Sequence, residues 1–302
     1  MKYRLWFVLL ALAGLALAGC GHSTNSTQAS TAPPTGSDQA QVASVLADNP
    51  DYVNEDLFQS QLQQSYDQIP GMAAIQPLRF WRAITGVQTS FDTQFGPPDS
   101  TGRPTSAVVT IHRHLTGSFN IVAGSTTPTD TSRSLIQKPL DDQWTRKIAL
   151  VRLPDRFGPE ITRWHLAGTS GVDVSSQGGA TAVQSVRIQT ANLDTTITDP
   201  LELHRRRALL FVPEGGEVTL TVTTANASDI VLFYGHDSRR RFTNNGDGTF
   251  TFTFTAGRFL GLRNFGIDAL SHGTLFDDTA AYDSNAWIFP FVVVADRAPM
   301  PL

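Results

Sequence analysis

Three aspartates near the C-terminal end of the sequence form its densest carboxylate cluster. Asp277, Asp278 and Asp283 lie close to Tyr282 and Asn285, and carboxylate oxygens are the ligands that Ca²⁺ prefers in proteins. Their spacing does not match an EF-hand loop, and loop aspartates commonly accept hydrogen bonds from nearby backbone amides. We therefore expect these aspartates to cap turns, with a Ca²⁺ site as the alternative, and we expect no cofactor.

Two further groups of residues carry charge or metal-binding chemistry. His112 and His114 are two residues apart, so on a strand both imidazoles project from one face. A metal site would need a further ligand, which the sequence does not pair with them. Arginines fill positions 205–207 and 239–241 and are candidates for binding anionic headgroups or a polyanion. Solvated side chains on strand faces and strand ends are the expected arrangement in both cases.

The sequence contains none of the familiar catalytic signatures. It has no G-x-S-x-G nucleophile elbow, no H-E-x-x-H, no phosphate-binding glycine loop and no cysteine nucleophile. The segment from Gly168 to Gly171 is predicted to be a turn, because no helical pattern follows Ser170. We therefore do not expect an enzyme, and an envelope hydrolase or isomerase ranks third among the functions considered.

A short apolar segment at the N-terminus ends at the only cysteine of the chain. Lys2 and Arg4 precede the uncharged run Leu5–Leu17, which is too short for a membrane span and fits the apolar region of a signal peptide. The residues Leu17-Ala18-Gly19-Cys20 then match every position of a lipobox (L/V/I, A/S, G/A, C). The N-terminus therefore resembles the signal peptides of bacterial lipoproteins.

This resemblance implies both a location and an anchor. Cleavage would fall between Gly19 and Cys20, and lipid chains such as palmitate on Cys20 would hold the mature protein on a membrane of the cell envelope, outside the cytoplasm. The absence of Asp after the cysteine is similar to the pattern for outer-membrane sorting, if the host is Gram-negative. Residues 1–19 are then the signal peptide, and residues 20–42 the lipidated cysteine and a polar tether that we expect to be disordered.

Composition limits the remaining possibilities. A formal net charge of −4 gives no reason to expect nucleic acid as a partner. The chain after Cys20 contains no thiol, so its stability must come from apolar cores rather than disulfides. Threonine, glycine and proline are plentiful and helical patterns are rare. We expect a mostly β protein of two domains, 43–192 and 193–302.

The first folded region, residues 43–192, is predicted to be α+β. Asn49-Pro50 begins an apolar pattern at three- to four-residue spacing that predicts a helix ending at Pro70-Gly71, and a second helix is predicted over 75–84. A period of two then predicts strands, with a break at Gly117 in the first of them and a loop over 125–142. The strands are predicted over 105–123, 144–153, 162–167 and 182–189. Helices packed on a bent antiparallel sheet are similar to the NTF2-like and cystatin-like folds.

The second folded region, residues 193–302, has a cleaner strand pattern. Apolar residues alternate with threonines in Glu217–Thr224 and again in Thr249–Thr255. Asn244–Gly248 predicts a tight hairpin, and Pro290 predicts that the last strand lies at an edge or is bulged. Further strands are predicted over 208–212, 229–234, 261–269 and 287–295. This succession of short strands resembles bacterial Ig-like and fibronectin III-like β-sandwich domains.

Two functions are consistent with these features. The first is a lipid-anchored, non-catalytic envelope protein that serves as a structural or protein–protein interaction module, with another envelope protein as its partner. The second is an envelope binding protein that holds a small apolar ligand or a glycan in the α+β cone or the sandwich loops. Trp81, Trp144 and Trp164 are the candidate lining of a pocket in the cone.

Overall fold

The computed structural model describes residues 36–53, 64–65, 75–125, 132–155, 158–235 and 239–295. Within these ranges the protein is mostly β, and its main element is a curled antiparallel sheet. The signal peptide, Cys20 and most of the tether, as predicted from the sequence, lie outside the described residues. No helix within the described ranges is long and apolar enough to cross a membrane.

The described ranges contain three short α-helices and sixteen strands. The helices are α1 (Gly36–Ala47), α2 (Pro50–Val53) and α3 (His272–Phe276). The strands are β1 (Gln64–Ser65), β2 (Gln76–Phe95), β3 (Ser106–Gly124), β4 (Arg133–Asp155), β5 (Gly158–Ser176), β6 (Val183–Gln189), β7 (Asp194–Ile197), β8 (His204–Arg205), β9 (Leu210–Pro213), β10 (Glu217–Thr224), β11 (Ile230–Tyr234), β12 (Arg239–Arg241), β13 (Thr243–Asn244), β14 (Thr249–Thr255), β15 (Gly261–Leu270) and β16 (Ser284–Val294).

These strands form two sheets. The large sheet has eleven strands in the order β1-β2-β3-β4-β5-β16-β15-β11-β12, with β8 added to β5 and β9 added to β16. Its pairs are antiparallel except for β9, which runs parallel to β16. The small sheet has five strands in the order β13-β14-β10-β6-β7.

Two apolar cores share the strands β11, β15 and β16. The first core lies inside the curl of the large sheet, where β2–β5 face one side of these three strands. The second core lies between their other side and the small sheet. In β11, Leu232 and Tyr234 belong to the first core, and Val231 and Phe233 belong to the second. Successive side chains of a strand point to opposite faces, so a strand buried on both faces reads as a continuous apolar run.

The boundary predicted at residue 193 is crossed by strand pairing in two places. Strand β6, from the first predicted region, pairs with β10 of the second. Strand β16, from the second region, pairs with β5 of the first. Each sheet therefore contains strands from both regions.

Several secondary-structure predictions for the first region are wrong. Residues 76–84 of the helix predicted over 75–84 belong to strand β2, because β2 pairs with β3 along almost its whole length and this pairing overrides an ambiguous apolar spacing. Strand β4 begins at Arg133, inside the predicted loop 125–142. Strand β3 runs through Gly117 without a break. Glycine suits this position because a Cβ there would clash with the Ala83 carbonyl of the neighbouring strand β2.

The helical predictions near the N-terminus are covered only in part. Helix α2 includes Pro50–Val53, and most of the remainder of the helix predicted up to Pro70-Gly71 lies outside the described residues. Helix α1 begins at Gly36, so residues 36–42 of the predicted tether are helical. Val42 and Leu46 of α1 are buried in the first core, which explains why these residues are ordered.

The strand predictions for the second region are closer. Glu217–Thr224 and Thr249–Thr255 are confirmed as β10 and β14. The prediction that Pro290 marks an edge strand or a bulge is wrong, because β16 has neighbours on both sides and regular pairing with β15. Pro290 lies between the residues of β16 that pair with β5 and those that pair with β9. The residue without an N–H group thus falls where β16 exchanges one neighbour for another.

Candidate functional site

An apolar cleft of about 490 Å³ opens where the small sheet meets the large sheet. One wall is formed by β7 and the loop 190–193 that precedes it. The opposite wall is formed by residues 204 and 208–213, in and around β8 and β9. Ile188, Phe265 and Phe289 from the second core line the cleft as well.

Thr190 shapes the first wall. Its hydroxyl accepts hydrogen bonds from the backbone amides of Asn192 at 3.3 Å and Leu193 at 3.1 Å. Its own amide donates to the Leu193 carbonyl at 2.8 Å. This tight turn returns the chain as β7, the edge strand of the small sheet, with Thr195 and Ile197 lining the cleft.

Two glycines of β5 allow the second wall to approach closely. A Cβ on Gly171 would lie 2.9 Å from the Pro200 carbonyl oxygen, and a Cβ on Gly168 would clash with the His204 carbonyl. Residues 200–205 can therefore lie directly against the backbone of β5. These glycines belong to the segment that was predicted to be a turn, a prediction that is wrong because the segment continues strand β5.

The chemistry of the cleft suits an apolar ligand with a small polar group. Most of its lining is aliphatic or aromatic, and its titratable side chains are His204 and Glu217. A volume of a few hundred Å³, a mostly apolar lining and a few polar groups are typical of small-molecule sites. Among the described residues, the lining can bury the apolar surface of a ligand, and the imidazole of His204 and the carboxylate of Glu217 can orient its polar group.

A buried polar cluster lies inside the first core, away from the residues that line the cleft. Arg82 of β2 forms a bidentate ion pair with Asp268 of β15, with N···O distances of 2.8 and 2.9 Å. Its remaining donors bond the hydroxyls of Tyr282 at 2.8 Å, Tyr234 at 2.9 Å and Ser284 at 3.0 Å. We call these five residues the Arg82 cluster.

Asp142 of β4 adjoins the Arg82 cluster. Its Oδ2 accepts a hydrogen bond from the Tyr282 hydroxyl at 3.1 Å, and its Oδ1 has no partner among the described residues. Burial raises the pKa of Asp142 to about 7, although the positive charge of Arg82 opposes this shift. Burial also raises the pKa of Tyr234 and Tyr282, so both phenols stay protonated and can donate.

The geometry of the Arg82 cluster indicates a structural role. Arg82 and Asp268 are each 1% exposed, and all five N–H donors of the guanidinium are used by protein partners. A substrate would find no free guanidinium donor there. Because buried polar groups are stable only when they are paired, the cluster fixes the position of β2 over β15 and β11.

The structure places the predicted aspartates at turns. Asp277 accepts hydrogen bonds from Thr279 N at 2.8 Å and Thr279 Oγ1 at 2.7 Å, which lower its pKa. Asp283 accepts from the amides of Ala180 and Thr181, each at 3.1 Å, and so joins the loop after β5 to the start of β16. Among the described residues, which include Asp278, no group of three or more His, Cys, Asp or Glu is arranged to hold a metal ion.

The three predicted tryptophans do not line a common pocket. Trp144 is buried in the first core, with the Arg113 guanidinium 4.4 Å from its ring centroid. Trp164 is buried farther along the sheet, and its Nε1 donates to Asp38 Oδ1 at 3.4 Å. Trp81 lines a shallow surface depression with Leu78 and Val122. The inward residues around Trp144, such as Ile111 and Leu115, are fully buried, so side chains fill this part of the curled sheet.

The other charged candidates also have separate surroundings. His114 Nε2 lies 2.6 Å from Asp141 Oδ1, whereas His112 Nδ1 lies 3.4 Å from Thr145 Oγ1. The prediction of solvated arginines is wrong for Arg239, which is buried with its guanidinium 4.1 Å from the Tyr234 ring centroid. Ser170 is buried as well, and its hydroxyl accepts from Lys147 N at 2.8 Å.

Neither the cleft nor the Arg82 cluster was predicted from the sequence. The signal for the cluster is present, because Asp268 interrupts the apolar run from Gly266 to Leu270. The partner Arg82 is 186 residues away in the sequence, and no local pattern connects the two. The cleft has no comparable signal, because its walls come from both predicted regions.

The fold and the cleft define the class of protein: a mostly β protein whose cleft has the size and lining typical of small-molecule sites. No family model, no curated protein and no solved structure matches this chain. The function must therefore be inferred from its own residues and geometry.

Proposed function

We propose that this chain is a lipid-anchored, non-catalytic protein of the cell envelope that binds a small apolar ligand in the cleft between its two sheets. The observation that carries the binding activity is the cleft of about 490 Å³ with its largely apolar lining. The anchor rests on Leu17-Ala18-Gly19-Cys20 and its resemblance to a lipobox. Each acyl methylene buried in a bilayer contributes about 0.8 kcal/mol, so two or more chains hold a protein stably.

The finer fold assignment is part of the proposal. We assign the small sheet together with β11, β15 and β16 to an Ig-like β-sandwich, and the curl of β2–β5 with its helices to an NTF2-like or cystatin-like cone. Supporting the sandwich, two sheets enclose the apolar second core. Supporting the cone, Val42 and Leu46 of α1 contribute to the first core.

The cleft favours ligand binding over a purely structural or protein–protein interaction role. A spacer needs no recess of this size, whereas pockets of roughly 300–1,000 Å³ are typical of small-molecule sites. The ligand is placed in the cleft between the sheets rather than in the cone, because the cone interior is filled by residues such as Phe119, Leu115 and Trp144.

A pair of substitutions on β7 tests the binding activity. Thr195 lines the cleft, whereas Thr196 is an exposed residue of the same edge strand. Thr195→Trp should fill the cleft and weaken binding of the apolar fluorophore N-phenyl-1-naphthylamine by about tenfold or more, because the probe can no longer bury its surface. Thr196→Trp is the matched control and should bind like the unchanged protein in the same fluorescence titration.

Two outcomes would contradict this proposal. If the unchanged protein does not bind the fluorophore, the cleft is not an apolar ligand site and the interaction-module function takes its place. If both tryptophan variants bind equally well, the probe binds elsewhere. Thermal melts of both variants check that each is folded.

The anchor is tested separately. The N-terminal peptide of the mature protein should begin at Cys20 and carry acyl groups by mass spectrometry, and Cys20→Ala should leave the chain unacylated and released from membranes. An unmodified Cys20 in the native protein would remove the anchor from the proposal without affecting the binding test.

A further inference from the structure

The loop between β14 and β15 presents two adjacent apolar side chains to solvent. Phe259 is 71% exposed and Leu260 is 52% exposed. Single exposed apolar residues are ordinary, but neighbouring ones at a loop tip suggest an interaction surface.

The base of this loop is held by the body of the protein. Ala256 N donates to the Gly216 carbonyl at 2.8 Å, and Gly215 N donates to the Ala256 carbonyl at 3.0 Å. The Arg263 guanidinium lies 5.8 Å from the Phe259 ring centroid, and its Nη1 donates to the Leu262 carbonyl at 3.0 Å. The base of the loop is thus hydrogen-bonded to the connection before β10, while Phe259 and Leu260 remain exposed.

The loop shares its end of the small sheet with two other connections. Glu217 at the start of β10 pairs with Thr255 at the end of β14, and Gln189 at the end of β6 pairs with Asp194 at the start of β7. The connections 190–193, 214–216 and 256–260 therefore lie at one end of the small sheet. We call this the 259 end; it also carries Leu193, which is 38% exposed.

The chain enters the fold toward the same end of the large sheet. Strand β5 begins and the antiparallel strand β16 ends in this direction. Helix α1 starts near the beginning of β5, since Asp38 contacts Arg152 and Trp164. Fifteen residues separate Cys20 from Gly36, and the chain between these two residues spans at most roughly 55 Å when fully extended.

We infer that the 259 end is seated on the bilayer that holds the lipid anchor, with Phe259 and Leu260 inserted at the boundary of headgroups and acyl chains. This inference rests on the lipid anchor of the proposed function, because the chain from Cys20 enters the fold toward this end and is long enough to let it reach the membrane. Arg258 lies in the loop and Arg263 follows it on β15, but Glu214 and Glu217 lie at the same end. The mixed charge means that apolar insertion, rather than attraction to anionic lipid, supplies the binding.

A fluorescent label tests this placement in the complete protein. Acylation of Cys20 leaves no other thiol, so Phe259→Cys can be labelled selectively with nitrobenzoxadiazole and reconstituted in phosphatidylethanolamine–phosphatidylglycerol vesicles. Lipids with brominated acyl chains should quench the label at position 259. Leu135→Cys is the matched control, because Leu135 is 56% exposed but lies near the opposite end of β4 from Arg152. The label at position 135 should not be quenched.

The result separates this inference from the proposed anchor. Mass spectrometry before vesicles are added shows whether Cys20 is acylated. If Cys20 is not acylated, it is replaced by Ala so that the label reacts only with the cysteine at position 259 or 135. Equal quenching at positions 259 and 135, or none at either, overturns the docking inference in either form of the protein.

If the 259 end inserts, the unlabelled Phe259→Asp/Leu260→Asp variant of the unacylated chain should partition into vesicles about tenfold or more weakly than its parent. Leu135→Asp should leave partition unchanged, and equal losses in the two variants would count against the inference.

Discussion

The two cores lie on opposite faces of the same three strands, yet their chemistry is different. The first core buries the charged side chains Arg82, Asp142 and Asp268. The second core is a set of apolar side chains in which phenylalanines contact one another, as Phe233 and Phe252 do at a centroid distance of 4.6 Å. An apolar core tolerates repacking, whereas a buried ion pair tolerates only partners that satisfy its donors and acceptors. The first core therefore specifies how the curl closes, and the second supplies apolar burial.

Among the substitutions that test this difference between the two cores, Arg82→Met should have the largest effect on stability. Removing the guanidinium leaves Asp268 as a buried charge without its partner, and we expect a loss of about 3–5 kcal/mol in the free energy of unfolding. Urea denaturation measures this loss. The double variant Arg82→Met/Asp268→Leu should recover most of it, because both partners of the buried ion pair are then removed together. If the double variant is no more stable than Arg82→Met, the pair is not energetically coupled.

A pH-dependent effect is expected from Asp142. Its pKa of about 7 in the folded protein exceeds the value of roughly 4 in an unfolded chain, so folding favours the protonated carboxyl. Its stabilising contribution is therefore complete below about pH 4 and decreases as pH rises toward 7, by up to roughly 4 kcal/mol. The groups that influence this carboxyl are Arg82, Tyr282, Asp268 and Asp141.

The variant Asp142→Asn isolates that contribution. Its free energy of unfolding should fall less than that of the unchanged protein between pH 5 and pH 8 in urea titrations, because the amide does not ionise. Asp277→Asn is a suitable control, because hydrogen bonds lower the pKa of half-buried Asp277 and its effect has the opposite sign. Parallel pH profiles for Asp142→Asn and the unchanged protein would show that Asp142 is not the titrating group.

The smallest of these effects is expected from the second core. Ile267 is fully buried beside Asp268 on β15 but faces the apolar side. Ile267→Val removes one methylene, and we expect a loss of about 1 kcal/mol without a change in pH dependence. A chemical denaturation series at two pH values checks both points. A loss as large as that of Arg82→Met would show that the two cores do not differ in tolerance.

The sequence predicted the second region better than the first for a physical reason. Glu217–Thr224 and Thr249–Thr255 have one buried and one more exposed face, so their alternation is visible locally. Residues 75–84 have apolar spacing that fits a helix or a strand, and only pairing with β3 decides between them. The edge strand predicted from Pro290 is wrong for a similar reason, because the pairing of β16 with β5 and β9 on either side of Pro290 cannot be known from the local sequence.

The candidate site could not be predicted because it depends on contacts that are distant in sequence. The cleft joins Thr190 and Ile197 on one wall with Leu209 and Val212 on the other, above Phe289. Each residue taken alone reads as an ordinary turn or core residue. The conspicuous residues, such as Asp277 and Trp144, are instead explained by turn capping and core packing.

Strand β16 follows every other described strand in the sequence, yet it lies between β5 and β15 in the interior of the large sheet. A chain made or exported from its N-terminus must therefore wait for residues 284–294 before β5 and β15 can be joined. Until then the unpaired edges of both strands can associate with other chains, which is a known route to aggregation. The last described strand of the sequence therefore completes the interior of the large sheet.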